Sequence, residues 1–418
     1  MTTEPALPAL PSEPPTWHLL EDLMARAKWS DAWRQVGHWA LGELKSTLGD
    51  DWVERCWHAE GRLPGELLGA SAYTVAFGFL VEWALRLHLL YAMPGMAGVR
   101  RGLQRDLRAA WRRHAALQLE VAALGLATGH DVRLEVHRDP GRPPSDVWLS
   151  DGANSFSVEA FAVLLDEDSA NAGGWDKRVQ AELLRIEAVH GVSFDGELRD
   201  RLDEEGLQSW LRDVERIAVE VATTGTPQPV TTRAAYLTVR PPNDVSPSRL
   251  TYPITVADGW PRTVARLKQK AEQARSSGAT WLRVDLLDGI WWASPWAQAG
   301  LFGKTSIMAE QLREALAHEA SLAGVVVSSS PCPALSVYVP ESARAADGAV
   351  GLRRVLPLNR VRETIVVPLG PDRGSAAEEW LALYDREAEW LDWGLAQAEL
   401  PSVDAIMAPV DGMPATDQ

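Results

Sequence analysis

From Trp17 to about Leu119, apolar residues recur at three- and four-residue spacing, as in WHLLEDLMARAKWSDAWRQVGHWALGELKSTLG, and Gly and Pro punctuate the later segments. That period places one apolar face along each segment and predicts an all-α N-terminal region. The last predicted helix contains RRGLQRDLRAAWRRH and runs on through Glu120. Beyond it the period falls to two. DVRLEV, DVWLS and the nearly continuous FSVEAFAVLL read as three strands, the first two separated by the turn-forming DPGRPP and the third placed centrally by its unbroken apolar run.

Residues 176–224 return to helical spacing and look inserted, and a β-rich or irregular stretch follows. GWPRTVARLKQKAEQARSSGA is then a helix with Pro261 near its start and Gly278 past its end, the asymmetry expected of helix termini. WLRVDLLDG, LAGVVVSSS, ALSVYVP and ETIVVPLG are further strands, with the helix KTSIMAEQLREALAHEA after the first of them and AAEEWLALYDREAEWLDWGLAQAEL at the end. Helices and strands mixed in this way predict an α/β fold, a sheet with helices on its faces.

Length and charge narrow the class. At 418 residues the chain exceeds one ordinary domain, and a net charge of −16 disfavours indiscriminate binding to polyanions without excluding a local basic patch. Cys56 and Cys332 form no metal-ligand or disulfide pattern, and MTTEPALPALPSEPPTW lacks the basic and apolar regions of a signal peptide, so a cytoplasmic location is expected. The most apolar window, residues 72–92, carries Glu82, Arg86 and His88, charges that a membrane span would not tolerate cheaply. No membrane association is expected.

The candidate chemistry lies in consecutive strands. Ser145-Asp146 opens one strand and Val158-Glu159 sits within the next, and neighbouring strands are only about 4.8 Å apart, so both carboxylates can meet at one edge. Against this stand ordinary roles, Asp146 as a turn residue and Glu159 paired with an Arg. Arg101, Arg105, Arg108 and Arg112 fall at i, i+4, i+7 and i+11, one face of the predicted helix, either a solvated face or a ridge contacting phosphate. Gly300-Leu301-Phe302-Gly303-Lys304-Thr305 is not read as a phosphate loop, because Gln298 stands where the motif needs Gly. His318-Glu319 lacks the second His of a zinc-protease helix.

With Glu120 on the helix, Asp146 opening the second strand and Glu159 in the third, residues 105 to about 330 resemble the PD-(D/E)XK, or restriction-endonuclease-like, nuclease superfamily. The resemblance implies a restriction-endonuclease-like mixed sheet flanked by helices. It implies Asp146 and Glu159 as ligands of Mg²⁺ or Mn²⁺, with Glu120 joining the metal shell, and phosphodiester hydrolysis of DNA or RNA. Two positions depart from the pattern. Ser145 replaces the motif Pro, and Phe161 stands where a Lys belongs. Lys268, Lys270 and Gln273 on the later helix are candidates to replace it, each lysine about 80° from the apolar stripe of Val264, Leu267, Ala271 and Ala274. The rival expectation is a catalytically inactive scaffold of the same core that binds nucleic acid or a protein partner.

The expected organisation is a disordered leader (1–16), a helical domain (17–104), the core (105–335) with a helical insertion at about 176–224, a C-terminal α/β extension (336–400) and a disordered acidic tail (401–418).

Overall fold

The computed structural model describes residues 14–408, except 27–28, 61–66, 68–73, 137–144, 164–178, 180–181, 184–185, 187–188, 199–201, 233–234, 242–248, 252–258, 275–279, 287–290, 292–298, 320–321, 334–338, 359 and 371–372. The chain forms two compact units, one of residues 1–164 and 260–418, the other of 165–259.

The first unit opens with helices α1 (Trp17–Arg26), α2 (Asp31–Leu48), α3 (Trp52–Glu60), α4 (Thr74–Leu89), α5 (Met96–Arg105) and α6 (Ala109–Ala127). Strands β1 (Asp131–Val136), β2 (Ser145–Ser150) and β3 (Ser155–Val163) follow. In the second unit lie β4 (Ser193–Leu198), α7 (Glu204–Thr224), β5 (Gln228–Thr231), β6 (Ala235–Arg240) and β7 (Arg249–Thr251). The chain then continues through α8 (Gly259–Ala274), β8 (Thr280–Leu286), α9 (Leu301–Ala315), β9 (Leu322–Ser329), β10 (Cys332–Pro333), β11 (Glu341–Arg344), β12 (Val350–Leu356) and β13 (Arg360–Pro368). It ends in α10 (Arg373–Asp385), α11 (Glu387–Gln397) and α12 (Val403–Ile406).

Among the described residues the main sheet has nine strands in the order β1-β2-β3-β8-β9-β13-β12-β11, with β10 beside β13. The β1–β2 and β2–β3 pairs are antiparallel, β3, β8 and β9 run parallel, and β13 returns antiparallel to β9. Every residue of β8 and β13 is buried, as their central place requires, and this includes the charged Arg283, Asp285, Arg360, Arg362 and Glu363 among their apolar residues. The fold is thus mixed α/β with helices flanking the sheet.

Three boundaries differ from the sequence expectation. First, the N-terminal helices are not a separate domain: one apolar core runs from Trp17 through Leu85, Val147 and Trp380 to Ile406. α2 and α12 also meet, since Ser30 caps α2 by accepting the Trp33 N–H while its hydroxyl bonds the carbonyl of Ile406 at 2.7 Å. Second, the expected C-terminal extension supplies β11, β12 and β13 to the main sheet. Third, the insertion is larger than a helical pair: 165–259 form a unit with a four-stranded sheet, β5-β6-β4-β7, and α7 packed through Trp210, Val214 and Val221. Residues 1–13 of the expected leader and 409–418 of the tail lie outside the described residues.

Among the described residues, no helix is long and apolar enough to cross a membrane.

Candidate active site

The β2–β3 register pairs Val147 with Val158 and Trp148 with Ser157, which sets Asp146 opposite Glu159 on the same face. Both acids meet Lys270 of α8. Its Nζ lies 3.3 Å from Glu159 Oε2 and 4.0 Å from Asp146 Oδ2. The Asp146 carboxylate also accepts the Ala160 N–H at 2.7 Å, which locks it across the two strands.

Two residues that the sequence did not single out complete the cluster from α6. His114 Nε2 lies 3.4 Å from Asp146 Oδ1, and its Nδ1 is 2.9 Å from the Ala160 carbonyl oxygen. Gln118 donates from Nε2 to the Asp146 carbonyl at 2.8 Å. They are four residues apart, one helical turn, and that i, i+4 spacing just before the acidic strands is the signal that could have found them.

The electrostatics follow from packing two acids and two bases with little solvent. Burial, and then the charge of Asp146, push the Glu159 carboxyl up from its ordinary 4.5 to about 7 against the pull of Lys270. Burial also opposes ionisation of Asp146, but His114, Lys270 and the Ala160 N–H outweigh it and hold that carboxyl below its usual value. His114 is raised, because Asp146 outweighs the cost of burying the imidazolium. With its folded pKa above the unfolded one, Glu159 keeps a proton between about pH 4.5 and 7 that the unfolded chain has lost, so its contribution to stability falls as pH rises through that window. Urea unfolding of wild type and Glu159→Gln at pH 5 and pH 8 tests this. The difference is expected to move by roughly 2–3 kcal/mol in favour of the Gln variant as pH rises. A pH-independent difference would show that Glu159 titrates normally.

The other sequence candidates are placed elsewhere. Glu120 does not join Asp146 and Glu159. It is buried on the other side of the sheet, 2.9 Å from Arg283 Nη2, 2.9 Å from Arg362 Nη1 and 3.7 Å from Arg86 Nη2. Strand alternation explains this: Arg283 pairs with Ala160, the neighbour of Glu159, and so faces the opposite way. Glu120 is also two residues from Gln118, about 200° around the helix. Burial would raise its pKa, but Arg362, Arg283 and Arg86 bring it down to about 2. Among the described residues, no group of three or more His, Cys, Asp and Glu side chains could hold a metal ion.

The arginine ridge is not formed either. Asp106 accepts the N–H of Arg108 and ends α5, so the helix breaks before α6 begins. Arg101 bonds the Ala97 carbonyl, Arg108 pairs with Asp106, and Arg112 is buried against the Leu107 carbonyl and Cys56. Arg105 ends α5, before that break, and so does not continue onto the face of Arg108 and Arg112. Lys268 is exposed, about 200° around α8 from Lys270, and the Gln273 side chain lies outside the described residues. Phe161 is buried. Lys304, in the glycine-flanked stretch, is buried and bonds Glu363 at 2.7 Å, which occupies the charge a phosphate would need.

No protein-family model, curated protein or solved structure matches the chain.

Proposed function

We propose that this chain is a metal-dependent nuclease with a restriction-endonuclease-like core, hydrolysing phosphodiester bonds of DNA or RNA. The observation that carries this reading is a single ammonium, Lys270, within 4.0 Å of carboxylate oxygens from two neighbouring strands. The helix supplies the charge that Phe161 cannot.

The donor set fits Mg²⁺ or Mn²⁺: two carboxylates at one point, with side chains 13% and 8% exposed and so within reach of the waters such an ion retains. Burial and then repulsion from Asp146 raise Glu159, and a divalent charge relieves that repulsion. Asp146 and Glu159 would hold the ion. When bound, such an ion lowers the pKa of a coordinated water and neutralises charge on a phosphoryl group. Lys270 orients a water or a phosphate oxygen beside the acids, while His114 and Gln118 fix Asp146 and the Ala160 carbonyl.

The test uses purified full-length protein with Mg²⁺ or Mn²⁺ on DNA and RNA, beside Asp146→Ala and Glu159→Ala. Cleavage is expected in the wild type and a loss of at least about a hundredfold in each variant. No wild-type cleavage, or equal cleavage in all three, overturns the reading.

A second reading, an inactive scaffold, is favoured by the same ion pairs, since Lys270 and His114 already neutralise both acids. It expects no heat attributable to this pair when Mg²⁺ or Mn²⁺ is titrated calorimetrically.

A further inference from the structure

We infer that the substrate is single-stranded, with one base stacking on Trp148 beside the acid pair. This rests on the proposed hydrolytic reading and names the strand state that the site accepts. The sheet face bearing Asp146 and Glu159 does not end at the acids. Trp148 pairs with Ser157, two residues before Glu159, and with Arg133 of β1, so Arg133, Trp148 and Asp146 share that face. The opposite face of the hairpin, with Val132, Leu134, Val147 and Leu149, is buried in the core. At Trp148 and Arg133 the other face is open, for Trp148 is half-buried and the Arg133 side chain is 52% exposed, while Ser157 opposite Trp148 is buried.

An indole partly open to solvent beside a carboxylate pair already takes a flat cation, since the Arg133 guanidinium lies 4.9 Å from the ring centroid. A nucleobase is the other flat group that such a ring accepts, and every base has a π-face, so the preference is for strand state and not for sequence. Bases in a duplex are already stacked on one another. Only an unstacked base has a face to offer, which is why an aromatic platform selects single strands. Trp148 is two residues from Asp146, about 7 Å along the strand, a distance that one nucleotide bridges.

Charge complementarity comes from α8. Arg262, Arg266 and Lys270 fall within about 80° of one another on α8, a local cluster of cations in a chain of net charge −16. Arg266 is exposed on the helix that delivers Lys270 to the acids. A basic helix and a stacking surface meeting at a carboxylate pair are the two parts that single-strand binding combines.

The experiment is fluorescence anisotropy of labelled oligo(dT), oligo(U) and a duplex of the same length with the full chain in EDTA, where cleavage is silent. Trp148→Leu keeps an apolar side chain without a ring, and Trp148→Phe keeps a ring. Single strands are expected to bind at least about tenfold more tightly than duplex, Leu to weaken that binding on the order of tenfold, and Phe to retain most of it. The two homopolymers separate DNA from RNA as the source of the strand. Equal affinity for duplex, or a Leu variant that binds as the wild type does, overturns the inference. Cleavage that persists alongside either result leaves the nuclease reading standing, whereas Trp148-dependent binding without cleavage supports the platform and removes hydrolysis.

Discussion

Lys270→Met should lower the rate of metal-dependent cleavage by roughly 10²- to 10⁴-fold, and Lys268→Met should leave it unchanged. The two lysines differ by two positions on one helix. Only Lys270 reaches the acids, at 3.3 Å from Glu159, while Lys268 faces solvent. Methionine preserves the length and apolar stem of lysine, so the loss reports the ammonium. Single-turnover rates at saturating Mg²⁺ isolate the chemical step from binding. Equal losses in both variants would point to general phosphate attraction by α8, and no loss in either would remove Lys270 from the reaction.

Glu120→Ala should instead destabilise the fold by about 3–5 kcal/mol, because removing one member of a buried ion pair strands its partners. Those partners are Arg283 and Arg362, whose side chains are 0% and 6% exposed. The same carboxylate makes the network acid-sensitive. With a folded pKa near 2 against an ordinary 4.5, its contribution of up to about 3 kcal/mol is present above pH 4.5 and is lost as pH falls through 2. Urea unfolding at pH 7 and pH 3 measures both effects. A Glu120→Ala protein as stable as the wild type but defective in cleavage would return Glu120 to the active site.

The acid pair was legible in the sequence because its geometry is local: two consecutive strands and a short turn fix which residues stand opposite each other. Lys270 was legible only as one of a set, since helical phase gives angles but not which side chain meets the acids. Glu120 was misplaced because the orientation of α6 is set by Arg283 and Arg362, far along the chain. Their presence in apolar strands was itself a signal, for a buried guanidinium demands a carboxylate partner. The break between α5 and α6 was hidden because Asp106 interrupts the helix through one side-chain bond to the Arg108 N–H, which periodicity does not register. The joining of β11, β12 and β13 to the main sheet is a non-local pairing that spacing alone does not encode.

The bond from Ser30 to Ile406 spans 376 positions. Such a clasp cannot close on a nascent chain. The helices made first must wait, with part of their apolar surface uncovered, until the ribosome has delivered Ile406, so the contact between α2 and α12 should form late in folding and be lost when the chain is truncated before α12.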